Sequence, residues 1–180
     1  ALNIGVKIAK RDSYEWVMTF DQDSRVTPGM VVLMLGVYND YPQKDKVASL
    51  APRFMDDRTG KIWGSRLVRG GASQAYAKTN EVITSGNLVK LSVFDRVGVF
   101  NEQLFIDYVD NEFCLRCITL GYEILEVTDA ILMHKVGLPR KIRFLWDTSI
   151  STTNHSHLRR YYIARNSIYT YRKYILKLLN

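Results

Sequence analysis

At 180 residues with 47% hydrophobic content, the chain can bury one sizeable core and reads as a single domain. No run approaches the roughly 18 consecutive apolar residues of a bilayer-spanning helix, and the start lacks the apolar core and small-residue cleavage site of a secretory signal. The net charge of +7 is uneven: Arg159, Arg160, Arg165, Arg172, Lys173 and Lys177 have no acid among them, so a polyanionic partner would meet the C-terminal quarter.

Leu2, Val6 and Ala9 share a face of a helix over 2–10. A chain that opens inside a helical pattern without an initiator Met is expected to be a piece of a longer protein. Trp16 to Phe20 then reads as a buried strand, which Asp21-Gln22-Asp23-Ser24 cannot continue. In open α/β sheets ligands bind beyond the carboxyl ends of strands, which puts Asp21 and Asp23 at a ligand edge. Two carboxylates one residue apart suit a hard divalent cation, Mg²⁺ or Mn²⁺. Such a triplet also arises by chance about once in a chain this rich in aspartate, so a solvated turn is the alternative.

Pro28 opens a helix through Tyr38, residues 39–46 form a loop, and Val47 to Ala51 form a short buried strand ended by Pro52. Between Phe54 and Thr79 the pattern weakens, with Gly60, Gly64, Gly70 and Gly71 marking an excursion across the sheet edge, either a substrate cover or a surface loop. Val82 to Val89 reads as a strand interrupted by Ser85-Gly86-Asn87, where glycine signals a bulge or a close backbone approach. A short helix around Leu91 to Val97 stops at Gly98.

A second acidic cluster follows in Asp107-Tyr-Val-Asp110-Asn-Glu112. Asp110 opens a helix to Leu120, stopped by Gly121, with Glu112 and Arg116 as an i,i+4 pair. Capping and ion pairing account for these residues; the alternative is a general base held on a rigid helix start. Cys114 and Cys117 on this helix, with no second ligand pair, read as packed, reduced thiols. Strands over 122–127 and 130–133 are joined by Thr128-Asp129, and the second delivers His134, structural or a third metal ligand. Residues 139–154, basic and then Ser/Thr-rich, read as a flexible loop. From His155 to Leu179 a helix sets Tyr161, Ala164, Ile168, Tyr171, Ile175 and Leu178 on one face, packed on the domain, with its cations elsewhere. A membrane-surface helix or an anion-binding arm is the other reading of that stretch.

Taken in order, the strand into Asp-Gln-Asp-Ser, then Thr-Ser-Gly-Asn-Leu, Phe-Ile-Asp-Tyr-Val-Asp-Asn-Glu-Phe-Cys-Leu-Arg, His-Lys-Val-Gly and Leu-Arg-Arg-Tyr-Tyr-Ile-Ala-Arg-Asn resemble the family 2 glycosyltransferases, and within them the bacterial rhamnosyltransferase branch. The resemblance implies a GT-A fold: a single Rossmann-like α/β domain, mostly parallel sheet flanked by helices, lacking its first strand. Residues 1–154 would form the core and 155–180 a basic amphipathic helix of the same domain.

The resemblance further implies an inverting, metal-dependent transferase that moves a sugar, rhamnose first and galactofuranose or glucose as alternatives, from a nucleotide donor to a cell-surface polysaccharide or lipid-linked acceptor. Asp21, Asp23 and His134 would hold Mn²⁺ or Mg²⁺. Asp110 would be the base, with Asp107 as fallback, because Val109 stands where the commoner motif has Glu. Ser85, Gly86 and Asn87 with Arg159, Arg160 and Arg165 would contact diphosphate or acceptor. The nucleotide's base and ribose would sit on chain preceding residue 2, so this stretch alone should bind nucleotide weakly. A cytoplasmic place at the inner membrane face is expected, with no nucleic acid. The rival from another class is a non-catalytic basic module whose Arg/Tyr-rich helix grips nucleic acid.

Overall fold

The computed structural model describes residues 1–64, 75–134, 139–144, 148–153 and 155–178. The chain starts with α1 (Leu2–Arg11), whose last turn carries Lys10 and Arg11, cations that complement the helix dipole. Next come β1 (Trp16–Thr19), the short β2 (Arg25–Val26) and α2 (Met30–Asp40). The long β3 (Val47–Asp56) is followed by β4 (Ile62–Trp63), β5 (Tyr76–Thr79), β6 (Asn87–Lys90) and α3 (Val93–Val97). Then follow α4 (Val109–Thr119), β7 (Glu123–His134), a hairpin of β8 (Pro139–Phe144) and β9 (Thr148–Thr153), and α5 (His157–Leu178).

The main sheet runs β1-β6-β3-β7-β2, with β4 on β3 and β5 on β7. β3 and β7 pair in parallel; the other described pairs are antiparallel, so the sheet is mixed rather than mostly parallel. Because β6 opposes both β1 and β3, the strands β1, β3 and β7 all point one way. Asp21 after β1, His134 at the end of β7 and the turn entering β6 therefore share one edge of the sheet.

Helices cover both faces. On one, Val6, Phe94, Phe100 and Phe113 pack with Val89 and Cys117; on the other, Met30 and Met34 pack on Leu50, Leu125 and Leu132. Each such side chain contributes roughly 1.5–3 kcal/mol when fully buried. Cys114 and Cys117 are free and buried; burial pushes the Cys117 thiol up to about 12 and Cys114 well above its ordinary value.

Several sequence expectations need correction. Pro52 does not end β3: the strand continues to Asp56, and the register with β7 jumps at Pro52/Arg53, from Val127 to Ile131. A proline without an N–H is tolerated at such a bulge. The same bulge absorbs Thr128-Asp129, so the two expected strands are one, β7. The strand expected from Val82 begins only at Asn87, and the described residues 139–144 and 148–153 are not a loop but paired antiparallel strands, the β-branched Thr148, Ile150, Thr152 and Thr153 suiting a strand. The run Arg66 to Gly71 lies outside the described residues.

The largest correction concerns α5. Of the expected packed stripe, Tyr161, Ala164, Ile168 and Tyr171 face outward, with Tyr161 60% and Ile168 68% exposed, while Asn166, Thr170 and Tyr174 are buried. Polar pairing with α4 decides this: buried Glu112 accepts from the Tyr174 hydroxyl at 2.5 Å, Arg116 Nη2 at 2.8 Å and Lys173 Nζ at 3.3 Å. Among the described residues, no helix is long and apolar enough to cross a membrane.

Candidate active site

The sheet edge gathers Asp21, Asp23 and His134, one ligand atom of each lying within 4.8 Å of the others. Two carboxylates and an imidazole within that span fit Mn²⁺, which accepts both oxygen and nitrogen donors. A cleft of about 330 Å³ opens beside them, lined by Gln22, Asp23, Ser24, Arg25, Asp57 and Met133. His134 Nδ1 lies 3.6 Å from Asp23 Oδ1 and 2.9 Å from Ser24 Oγ. Ser24 Oγ in turn shares a hydrogen bond of 2.5 Å with Ser85 Oγ.

The turn before β6 joins this triad to the second acidic cluster. Asp21 N–H donates to Ser85 Oγ at 3.2 Å, Gly86 N–H to Thr19 O at 2.7 Å and Thr19 Oγ1 to Thr84 O at 2.5 Å. One residue earlier, Thr84 donates to Asp110 Oδ2 through its N–H at 3.1 Å and its hydroxyl at 3.4 Å. Gly86 is required here: its φ is +78°, and a Cβ would stand 2.7 Å from the Pro52 ring. A single tight turn thus touches both Asp21 and Asp110.

Asp110 sits in the first turn of α4. Burial raises its pKa above the ordinary aspartate value; the N–H groups of Asn111 and Thr84, donating to the carboxylate, pull it partly back. Asp107 is differently placed, gripped by a two-pronged Arg159 contact at 2.9 Å on each oxygen. The Asp107 contact, with a smaller contribution from the charge of Asp21, raises the Arg159 pKa.

The remaining expected contacts divide. Ser85 and Asn87 are 1% and 2% exposed, and Ser85 Oγ, accepting from the Asp21 N–H, braces the Asp21 loop. Arg165 and Arg160 are both exposed, and Arg165 Nη2 donates to Gln103 O at 2.8 Å. Sequence reasoning missed Ser24, Thr84 and Asn166. Ser24 had a signal, sitting beside Asp23; Thr84 and Asn166 matter only through pairing across 26 residues or more.

The mixed sheet covered by helices on both faces, with this edge at the ends of its parallel strands, is a GT-A fold. The described chain is similar in structure to GalNAc-T7, crystallised with UDP, GalNAc and Mn²⁺, with a TM-score of 0.56 and 12% identity over 74% of this chain and 29% of that one. In sequence it is similar to the dTDP-rhamnosyl transferase RfbF of Shigella flexneri, 32% identical across 99% of the chain. It spans 61% of that relative's length. No protein-family model matches the sequence.

Proposed function

We propose that this chain is the larger part of an inverting glycosyltransferase that moves rhamnose from a dTDP-linked donor to a hydroxyl of a growing cell-surface polysaccharide or lipid-linked saccharide. The observation that carries the reading is the shared turn: Asp21 and Asp110 are braced by neighbouring residues, Ser85 and Thr84, so a cation-binding edge and a base flank one place.

In this reading Asp110 takes the proton of the acceptor hydroxyl as that oxygen attacks the anomeric carbon. The bond to the acceptor forms on one face while the bond to the diphosphate oxygen breaks on the other, its electron pair leaving with the nucleotide. Asp21, Asp23 and His134 would hold Mn²⁺ or Mg²⁺, which when bound would supply positive charge for the departing diphosphate. Arg159, paired with Asp107 and within electrostatic reach of Asp21, adds a positive group near that edge. Asp107, already paired with Arg159, is the weaker candidate for base.

The outward face of α5 mixes Leu158, Tyr161, Ile168 and Tyr171 with Arg160 and Arg172, which supports contact with an anionic membrane surface on the cytoplasmic side. The nucleic-acid reading is weaker, because Arg159 and Arg165 are engaged with Asp107 and a main-chain carbonyl.

The test is a donor panel offered to the full-length protein with Mn²⁺, read as donor consumption. Preferential use of dTDP-rhamnose is expected. Preference for a galactofuranosyl or glucosyl nucleotide would overturn the donor, and consumption of none would overturn the transferase reading.

A further inference from the structure

The segment between the turn at Glu102–Leu104 and the start of α4 carries a concentration of unfavourable backbone. Phe105, Asp107 and Tyr108 have φ of 59°, 60° and 65°, and none is glycine. Left-handed conformations are uncommon for side-chain-bearing residues and are outliers for bulky ones. At Phe105 the pair φ 59°, ψ −61°, with Ile106 N–H donating to Leu104 O at 2.6 Å, makes the rare positive-φ form of γ-turn. Burial does not compensate Phe105, whose side chain is 72% exposed.

The compensation comes from α5. Asn166 is completely buried, and the two hydrogens of its Nδ2 are divided among three carbonyls, Leu104 O at 2.7 Å, Ile106 O at 2.9 Å and Asp107 O at 3.0 Å, one hydrogen being shared. Its Oδ1 accepts from Arg165 Nε at 2.9 Å, so the network fixes which way the amide points. Arg165 reaches on to Gln103 O, and Arg159 forks onto the Asp107 carboxylate. Three side chains of one helix therefore hold a segment that its own residues disfavour.

We infer that Asn166 is a positioning residue for the base, holding 105–108 in its left-handed course so that α4 starts where Asp110 meets Thr84. The inference rests on the transferase reading above. Tyr108, at φ 65° and ψ 2°, is the residue immediately before α4, and Asp110 is two residues on. If Tyr108 relaxes to negative φ, the helix start turns and the Asp110 carboxylate leaves Thr84. Strained backbone retained beside a reactive group, and held by a buried polar residue, points to function rather than packing.

The test compares Asn166→Ala with the double variant Asn166→Ala/Tyr108→Gly in the full-length protein. Asn166→Gln, which keeps an amide in the core, replaces the alanine if that variant does not fold. The expected result is a kcat for transfer lowered on the order of 100-fold, the scale of a misplaced catalytic group, with donor KM and Mn²⁺-dependent nucleotide binding unchanged. Hydrogen exchange over 104–112 should accelerate, and glycine at 108, which adopts positive φ without steric cost, should restore much of kcat. An unchanged kcat, unchanged exchange, or a joint fall of kcat, donor binding and Tm without glycine rescue would each overturn the inference. Absence of transfer in the unmodified protein defeats the transferase reading instead, and exchange over 104–112 then decides whether Asn166 holds the segment.

Discussion

The two halves of the site are built on opposite principles. Asp21 and Asp23 stand exposed on a strand end, braced by short contacts from Ser24 and Ser85, whereas Asp110 is crowded against Thr84 on a helix start held from behind by α5. A cation and a diphosphate bring their own charge and water, so their ligands gain from an open edge. A base that takes a proton from a neutral hydroxyl gains from fixed geometry and partial loss of water, which raises its basicity. Openness on one side and enforced order on the other suit a donor that must leave and an acceptor that must be aimed.

The sharpest way to break this comparison is Asp110→Asn. Transfer should fall by about 10²–10⁴-fold, the typical contribution of a general base, while Mn²⁺ and nucleotide affinity stay as they were, measured by initial rates and calorimetry. Asp23→Ala should invert that pattern, with nucleotide binding losing its dependence on Mn²⁺ and transfer falling on the order of 10²–10³-fold. If both variants lose metal binding equally, the two halves are one unit and the contrast fails.

A smaller effect is expected at Ser24. Its hydroxyl contacts His134 Nδ1 and orients the ring, and removal of such an outer partner typically costs 10–100-fold in metal affinity; a Mn²⁺ titration of Ser24→Ala reads this directly. The pH profile sharpens the other side. Because burial raises Asp110, and only its ionised form accepts a proton, kcat/KM should fall as pH drops through a pKa higher than that of an ordinary aspartate. An acid limb at the ordinary aspartate value would mean that Asp110 is not the group titrating. The smallest effect belongs to the α4–α5 tie: Tyr174→Phe leaves Glu112 one donor short and should cost about 1–3 kcal/mol of stability, seen as a lowered Tm.

The two halves also differ in how far the sequence revealed them. Asp21, Asp23 and His134 were legible because each ends an apolar run, and strand direction then places strand ends together. Asp110 was legible only as a helix start. What holds it was not: apolar periodicity put Tyr161 and Ile168 inward on α5, yet that helix buries Asn166 and Tyr174, because their partners are carbonyls and a carboxylate from distant segments. Pro52 misled for a similar reason, since a bulge in a neighbouring strand removes the demand for its missing N–H. Local pattern reports what a residue prefers alone, and these positions are set by pairing.

The central claim, that the cation-binding edge and the base share one cleft through the turn before β6, is tested most directly by paramagnetic broadening. Mn²⁺ titrated with nucleotide into ¹⁵N-labelled full-length protein should broaden the amides of Asp21, Asp23, Ser24, Thr84, Ser85 and Asp110 before any others. Early broadening confined to a different region, with Thr84 and Asp110 left sharp, would contradict the account.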